Sequence, residues 1–229
     1  MIVSRARRFV FVHIPKTGGT ALSLALEARA AADDILVGDT PKARARQGRL
    51  AGLTTRGRLW KHSTLADIDG LLAPGDLGSF FVVTLVRNPW DRMVSLYHWL
   101  RTRGFAHPAV GLARAHGFSG WLNHPRTQAM IAAAPASSYT RDAGGTDRAT
   151  LCARLEEPGD LAPFEAHLGF RLTPLPHANA GDRPAGWRGV YTDADAELVA
   201  RLCAEDVARF GYGFEDGASA GKGLPSRRV

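Results

Sequence analysis

The stretch Phe9-Val10-Phe11-Val12-His13-Ile14-Pro15-Lys16-Thr17-Gly18-Gly19-Thr20-Ala21-Leu22 restricts the possible folds of this chain more than any other. Phe9 to Ile14 is a nearly unbroken apolar run of aromatic and β-branched residues, the pattern of a strand covered on both faces. Pro15 ends it. Gly18 and Gly19 permit backbone angles that other residues resist and let main chain approach a ligand closely. Ala21, Leu22, Ala25 and Leu26 then recur at helical spacing. A strand, a tight glycine loop and a helix N-terminus form a ready anion site, because the first amides of a helix have no partner within it. Lys16 adds a mobile positive charge. The Walker pattern is absent, since the lysine precedes the glycines.

A second unit of the same kind follows. Phe80 to Val86 is apolar apart from Thr84, and Arg87 ends it. Asn88 suits an N-cap, Pro89 the first helical position and Asp91 the first turn. The helix continues through Met93, Val94, Tyr97 and Leu100, and Ser95 lies one turn beyond Asp91, so these two share a face distinct from the Val94–Tyr97 stripe. An arginine and a hydroxyl so placed suit a second phosphate; the competing reading is an arginine paired with a nearby carboxylate.

The remaining segments carry weaker signals. Lys42, Arg44, Arg46, Arg49, Arg56, Arg58 and Lys61 lie between Asp39 and Asp67 with no acidic residue among them. Lacking a clear period, Val37 to Trp60 reads as a mobile, solvated loop, with a contact surface for an acidic acceptor as the alternative. Leu65, Ile68, Leu71 and Leu72 predict a helix capped by Ser63 or Thr64, which puts His62 at a strand-to-helix junction. Short helices are expected at Phe118 to Leu122 and Gln128 to Ala134, and a strand at Leu151 to Leu155. A helix is expected at Asp160 to Leu168, ended by Gly169, and a final one from the Thr192–Asp195 capping signal to Gly211. A single domain is expected over residues 1–216, with 217–229 a disordered tail.

At 229 residues the chain is long enough for one sizeable core. Its formal net charge of +7 favours anionic partners, although nearly all of it is scattered arginine. Two cysteines, Cys152 and Cys203, imply no disulfide framework and fit a reducing cytoplasm. No metal-ligand spacing occurs. No apolar run is long enough to insert in a membrane, and Pro15-Lys16 interrupts any secretion signal. The basic run lacks the interleaved aromatics of a nucleic-acid binder.

Together these residues resemble the PAPS-dependent sulfotransferases, in the branch of the Golgi carbohydrate sulfotransferases and their soluble bacterial relatives; PAPS is 3′-phosphoadenosine-5′-phosphosulfate. Pro15-Lys16-Thr17-Gly18-Gly19-Thr20 is similar to that family's 5′-phosphosulfate loop. Arg87-Asn88-Pro89-Trp90-Asp91-Arg92-Met93-Val94-Ser95-Leu96-Tyr97 is similar to its 3′-phosphate motif. Weaker similarity runs through Arg154-Leu155-Glu156, Leu175-Pro176-His177-Ala178-Asn179 and Phe210-Gly211-Tyr212-Gly213-Phe214. With no anchor-like segment, the soluble bacterial type is the nearer match.

The resemblance implies an α/β fold: a P-loop NTPase-like three-layer domain with a central, mostly parallel sheet and flanking helices. It implies sulfuryl transfer from PAPS to an acceptor hydroxyl, with a carbohydrate as the expected acceptor class and PAP as product. Lys16 would stabilise the leaving phosphate. Thr17, Gly18, Gly19, Thr20 and Ala21 would hold the 5′-phosphate, and Arg87 and Ser95 the 3′-phosphate. Arg183 or Arg188 would cover the nucleotide. His62 matches the family's base best, with His13 and His98 the other candidates among eight histidines. Two other readings compete: a P-loop-type nucleotide kinase, against which the misplaced lysine counts, and a non-catalytic PAP or sulfated-ligand binder.

Overall fold

The computed structural model describes residues 1–176, 178 and 186–215. In chain order the elements are β1 (Ile2–Ser4), β2 (Phe9–Val12), α1 (Gly19–Ala28), β3 (Ile35–Leu36), α2 (Pro41–Ala45), β4 (Phe81–Val86) and α3 (Pro89–Arg101). Then come α4 (Pro108–Ala115), α5 (Phe118–Leu122), α6 (Pro125–Ala132), α7 (Ala136–Thr140), β5 (Leu151–Arg154), α8 (Ala162–Leu168), α9 (Asp193–Leu202) and α10 (Ala204–Phe210).

The sheet has the order β3-β1-β2-β4-β5. One half is parallel: β2 pairs with β4 and β4 with β5. The other half is antiparallel, with β1 folding back on β2 and β3 pairing on the outside. Alternate residues divide between two cores, as the period of two in a strand requires. Phe9, Phe11, Val83 and Leu85 pack with Leu22 and Leu26 of α1 and Leu161 and Phe164 beside and within α8. Val10, Val12 and Val82 pack with Leu65, Ile68 and Leu71. A third cluster joins Ile14 and Val86 to Trp90, Met93 and Tyr97 of α3 and to α4, α5 and α9. The structure is thus a mixed α/β domain with a central sheet flanked by helices.

Three expectations change. No helix forms after Thr64. The Thr64 and Asp67 side chains do bond reciprocally, Asp67 Oδ2 accepting the Thr64 amide at 2.7 Å and Thr64 Oγ1 the Asp67 amide at 3.1 Å. Yet the Leu65 amide donates to Tyr139 O at 2.9 Å, and Gly57 and Arg56 amides donate to Asp67 and Asp69 carbonyls. Those long-range bonds, with Gly70 at φ 92°, replace the helical ladder by turns. His62 therefore sits in an irregular segment rather than at a strand-to-helix junction.

Val37 to Trp60 is hydrogen-bonded to the rest of the fold rather than a free solvated loop: residues 40–49 lie over the end of α1, and Arg56 and Gly57 pair with the Asp69 and Asp67 carbonyls. Thr40 caps α2 and donates its hydroxyl to buried Glu27 at 2.6 Å. Lys42 bonds Glu27 O, Arg46 bonds Ala31 O at 2.7 Å and Arg49 bonds Ala32 O. These cations satisfy carbonyls at and just beyond the C-terminus of α1, where positive charge is favoured. With Arg56 bonding Ala143 O at 3.3 Å, the basic run is tied to main chain at four of its residues. Finally, the last helical stretch is two helices, broken at Cys203 (φ −107°). The break turns α10 so that Asp206 accepts the Ala136 amide at 2.9 Å.

Candidate active site

Parallel pairing in register, Val12 opposite Thr84 and Val86 opposite Arg154, brings the loops after β2, β4 and β5 to one end of the sheet. Ligands of open α/β sheets bind outside these carboxyl ends. The loop after β2 turns through two left-handed residues, Lys16 (φ 67°) and Gly18 (φ 82°). Thr17 is buried, and its hydroxyl donates to Ile14 O at 2.9 Å, closing the turn. Helix α1 starts at Gly19 with neither a side-chain cap nor an acidic residue in its first turn. Its leading amides, including those of Gly19 and Thr20, therefore meet no side-chain anion of α1 itself. The Ala21 amide is engaged with Gly18 O at 2.9 Å. The Lys16 ammonium stands 5.5 Å from the centroid of the Trp99 ring on α3.

Two arginines of the second motif clamp this loop. Arg87 donates from Nη1 to Lys16 O at 3.0 Å, and Arg92 from Nε to Pro15 O at 3.1 Å. Arg87 also pairs through Nε and Nη2 with Asp91 Oδ2, at 2.9 and 2.6 Å. The carboxylate pairing that competes in the sequence is therefore present, and it aims a guanidinium that also holds the lysine loop. Asn88 caps α3 as its position predicts, its Oδ1 accepting the Trp90 and Asp91 amides. Ser95 is half-buried on α3, one turn beyond Asp91.

Two of the three weaker motif fragments converge on the same end, those of Glu156 and of Tyr212-Gly213. The Asn88 amide donates to Glu156 Oε1 at 2.8 Å, its Nδ2 to Gly213 O at 3.0 Å, and Tyr212 donates to Glu156 Oε2 at 3.0 Å. Arg188 bonds Phe214 O at 2.9 Å and stacks over Trp187. Arg183 lies outside the described residues, as do His177 and Asn179.

His62 reaches the site from the irregular segment. Its Nδ1 lies 2.7 Å from the main-chain oxygen of His13. A carbonyl only accepts, so Nδ1 carries the proton and Nε2 is left as the acceptor. The His62 ring meets the His13 ring edge to face at 4.6 Å and the Trp60 ring at 5.1 Å. Burial pushes the His62 pKa down to about 4, and nearby Lys61 and the N-terminal amine add to this; the bond to His13 O and Asp39 act the other way. His13 is buried and held well below the ordinary histidine range, chiefly by desolvation. Trp60 is 48% exposed, an aromatic rim beside His62. His98, the third histidine considered, lies on α3 against Tyr97.

The chain is similar to mouse sulfotransferase SULT7A1 complexed with PAP, at 15% identity and a TM-score of 0.46, over 89% of this chain and 85% of that one. No protein-family model and no curated protein matches.

The structure thus joins Lys16 to Arg87 directly and places His62 against the residue that opens the loop. Among the described residues it gives Ser95 no such tie. Sequence reasoning misses Arg92, the Glu156 cross-tie and the contact between the two histidines. Arg92 is visible within the second motif, but nothing local indicates that it reaches Pro15. Among the described residues no group of three His, Cys, Asp or Glu is arranged to hold a metal ion, and no helix is long and apolar enough to cross a membrane.

Proposed function

We propose that this chain is a PAPS-dependent sulfotransferase, moving a sulfuryl group from PAPS to an acceptor hydroxyl, with a carbohydrate as the acceptor class. One observation carries the reading: Arg87, the arginine of the 3′-phosphate-like motif, bonds the carbonyl of Lys16, the lysine of the 5′-phosphosulfate-like loop. This contact between two motifs 71 positions apart supports reading them as one bipartite anion site. A donor with phosphate at both ends of its ribose needs such a pair.

The leading amides of α1 at Gly19 and Thr20 would hold the 5′-phosphate, with Gly18 and Ala21 closing the turn through the bond from the Ala21 amide to Gly18 O, and Arg87 with Ser95 would hold the 3′-phosphate. Thr17 contributes by closing the loop, since its hydroxyl is committed to Ile14 O. In the transfer, the acceptor oxygen bonds to sulfur, the bond from sulfur to the phosphate oxygen breaks, and PAP leaves with the electron pair. Lys16 stabilises the charge developing on that oxygen. His62 Nε2 takes the acceptor proton. A ring held near pKa 4 is a weak base but is unprotonated at neutral pH. The hydroxyl becomes strongly acidic as its bond to sulfur forms, so a weak acceptor suffices late in the step.

Thermal stabilisation by PAP, compared with ATP and AMP, tests this. PAP is expected to raise the melting temperature more than AMP at equal concentration, because only PAP engages both anion sites. Equal shifts from PAP and AMP would sink the two-site reading, and a larger one from ATP with Mg²⁺ would favour a kinase.

A further inference from the structure

In sequence, both loop glycines read as serving the anion. The packing gives Gly19 a different neighbour. A methyl group on its α-carbon would lie 2.5 Å from Nε2 and 2.8 Å from Cγ of His13, well inside contact distance. The obstacle is a buried ring, 7% exposed, rather than the free end of a long side chain. On one side this ring stacks with Phe11 at 5.8 Å; on another it meets His62 at 4.6 Å. The carbonyl of His13 fixes the proton on His62 Nδ1. Gly19 takes an ordinary backbone angle, in contrast to Gly18 at φ 82°, so conformational freedom is not what requires a glycine there.

We infer that Gly19 is a positioning residue for His62, acting through His13. The missing side chain at 19 leaves room for the His13 imidazole between the first turn of α1 and the His62 ring. The loop that cradles the donor and the base that meets the acceptor then share one packing contact. Displacing His13 shifts both determinants of the His62 geometry at once, its ring neighbour and the carbonyl that sets its tautomer. Gly18 does not share this role, because a methyl group on its own α-carbon would instead meet Leu155, at 2.5 Å. Only the catalytic meaning of this coupling rests on His62 being the base; the coupling itself is a matter of packing.

Nitrogen-15 spectra of the histidine rings, recorded with PAP titrations, test it on the full chain. In wild type, His62 is expected as a single neutral tautomer protonated at Nδ1. Gly19→Ala is expected to move or split the His62 ring signals. Adding His13→Ala, which keeps the carbonyl and empties the ring's space, is expected to restore a single His62 tautomer protonated at Nδ1, with shifts that differ from wild type only by loss of the neighbouring ring. Unperturbed His62 signals in Gly19→Ala would overturn the inference, as would a double variant that restores nothing. If Gly19→Ala does not fold, a folded double variant supports the collision with His13, and an unfolded one overturns it. Failure of wild type to bind PAP would refute the sulfotransferase reading and leave the ring spectra to decide this one.

Discussion

His62 Nδ1 and the carbonyl of His13 meet at 2.7 Å across 49 positions of sequence, and this bond fixes which nitrogen of His62 can accept a proton. Burial keeps the ring neutral, with a pKa of about 4 against an ordinary 6.5. The folded state therefore resists a proton that the unfolded chain takes up as pH falls below about 6.5. The stability contribution is complete above that value and declines between pH 6.5 and 4, by at most about 3 kcal/mol. Urea unfolding of wild type and His62→Gln at pH 7 and about pH 4.5 checks this. The wild type should lose more stability on acidification than the variant. Equal losses would show that other groups, such as the buried N-terminal amine, carry the slope.

Lys16 projects from a left-handed residue, with its ammonium over Trp99. If it acts on charge that develops only in the transition state, its removal should reduce turnover far more than nucleotide affinity. Lys16→Met is expected to lower kcat about 100-fold or more while PAP affinity falls less than about tenfold. Steady-state rates with PAPS and calorimetry with PAP separate the two. A loss confined to PAP affinity would make Lys16 a binding residue only.

Much of this geometry is legible in the chain, for a physical reason. Phe9 to Val12 and, apart from Thr84, Phe81 to Val86 are apolar on both faces because both faces are covered. Asn88 and Thr192 cap helices through contacts two or three residues away, and Gly169 and Gly211 end helices through their own backbone angles. Such local devices can be read from local sequence. Strands β1 and β3, of three and two residues, are too short to show a period and exist by pairing with β2 and each other. The apolar spacing from Leu65 to Leu71 promises a helix, but burial against the sheet and the bond from Leu65 to Tyr139 O win over local preference. At the site, Lys16 and Arg87 announce themselves through their own motifs. Their mutual bond, and the pairing of His13 with His62, arise only once parallel strands align distant loops.

Asp91 holds Arg87 by two bonds to one carboxylate oxygen, while Arg87 also reaches the Lys16 carbonyl. The acid therefore orients the guanidinium. Asp91→Ala should weaken PAP binding about tenfold and AMP binding little, because only PAP carries the 3′-phosphate assigned to Arg87. Arg87→Ala should remove the preference for PAP over AMP altogether. Titration calorimetry with both nucleotides gives the comparison. A preference that survives Arg87→Ala would move the 3′-phosphate site elsewhere.

Phe164 is fully buried beneath the sheet, its ring 5.3 Å from those of both Phe9 and Phe81. It thus braces the two neighbouring strands whose ends carry the lysine and arginine loops. Phe164→Ala should cost about 3–5 kcal/mol of stability through lost burial and the cavity left behind. Phe164→Leu keeps most of the volume and should cost less. Because the ring lies under the strands and not in the loops, PAP affinity of the folded fraction should stay within about threefold of wild type. Chemical unfolding and PAP titration below the transition read these two quantities separately. A large affinity loss in a still-folded Phe164→Leu would show that strand packing, rather than the loop clamps of Arg87 and Arg92, sets the geometry of the anion site.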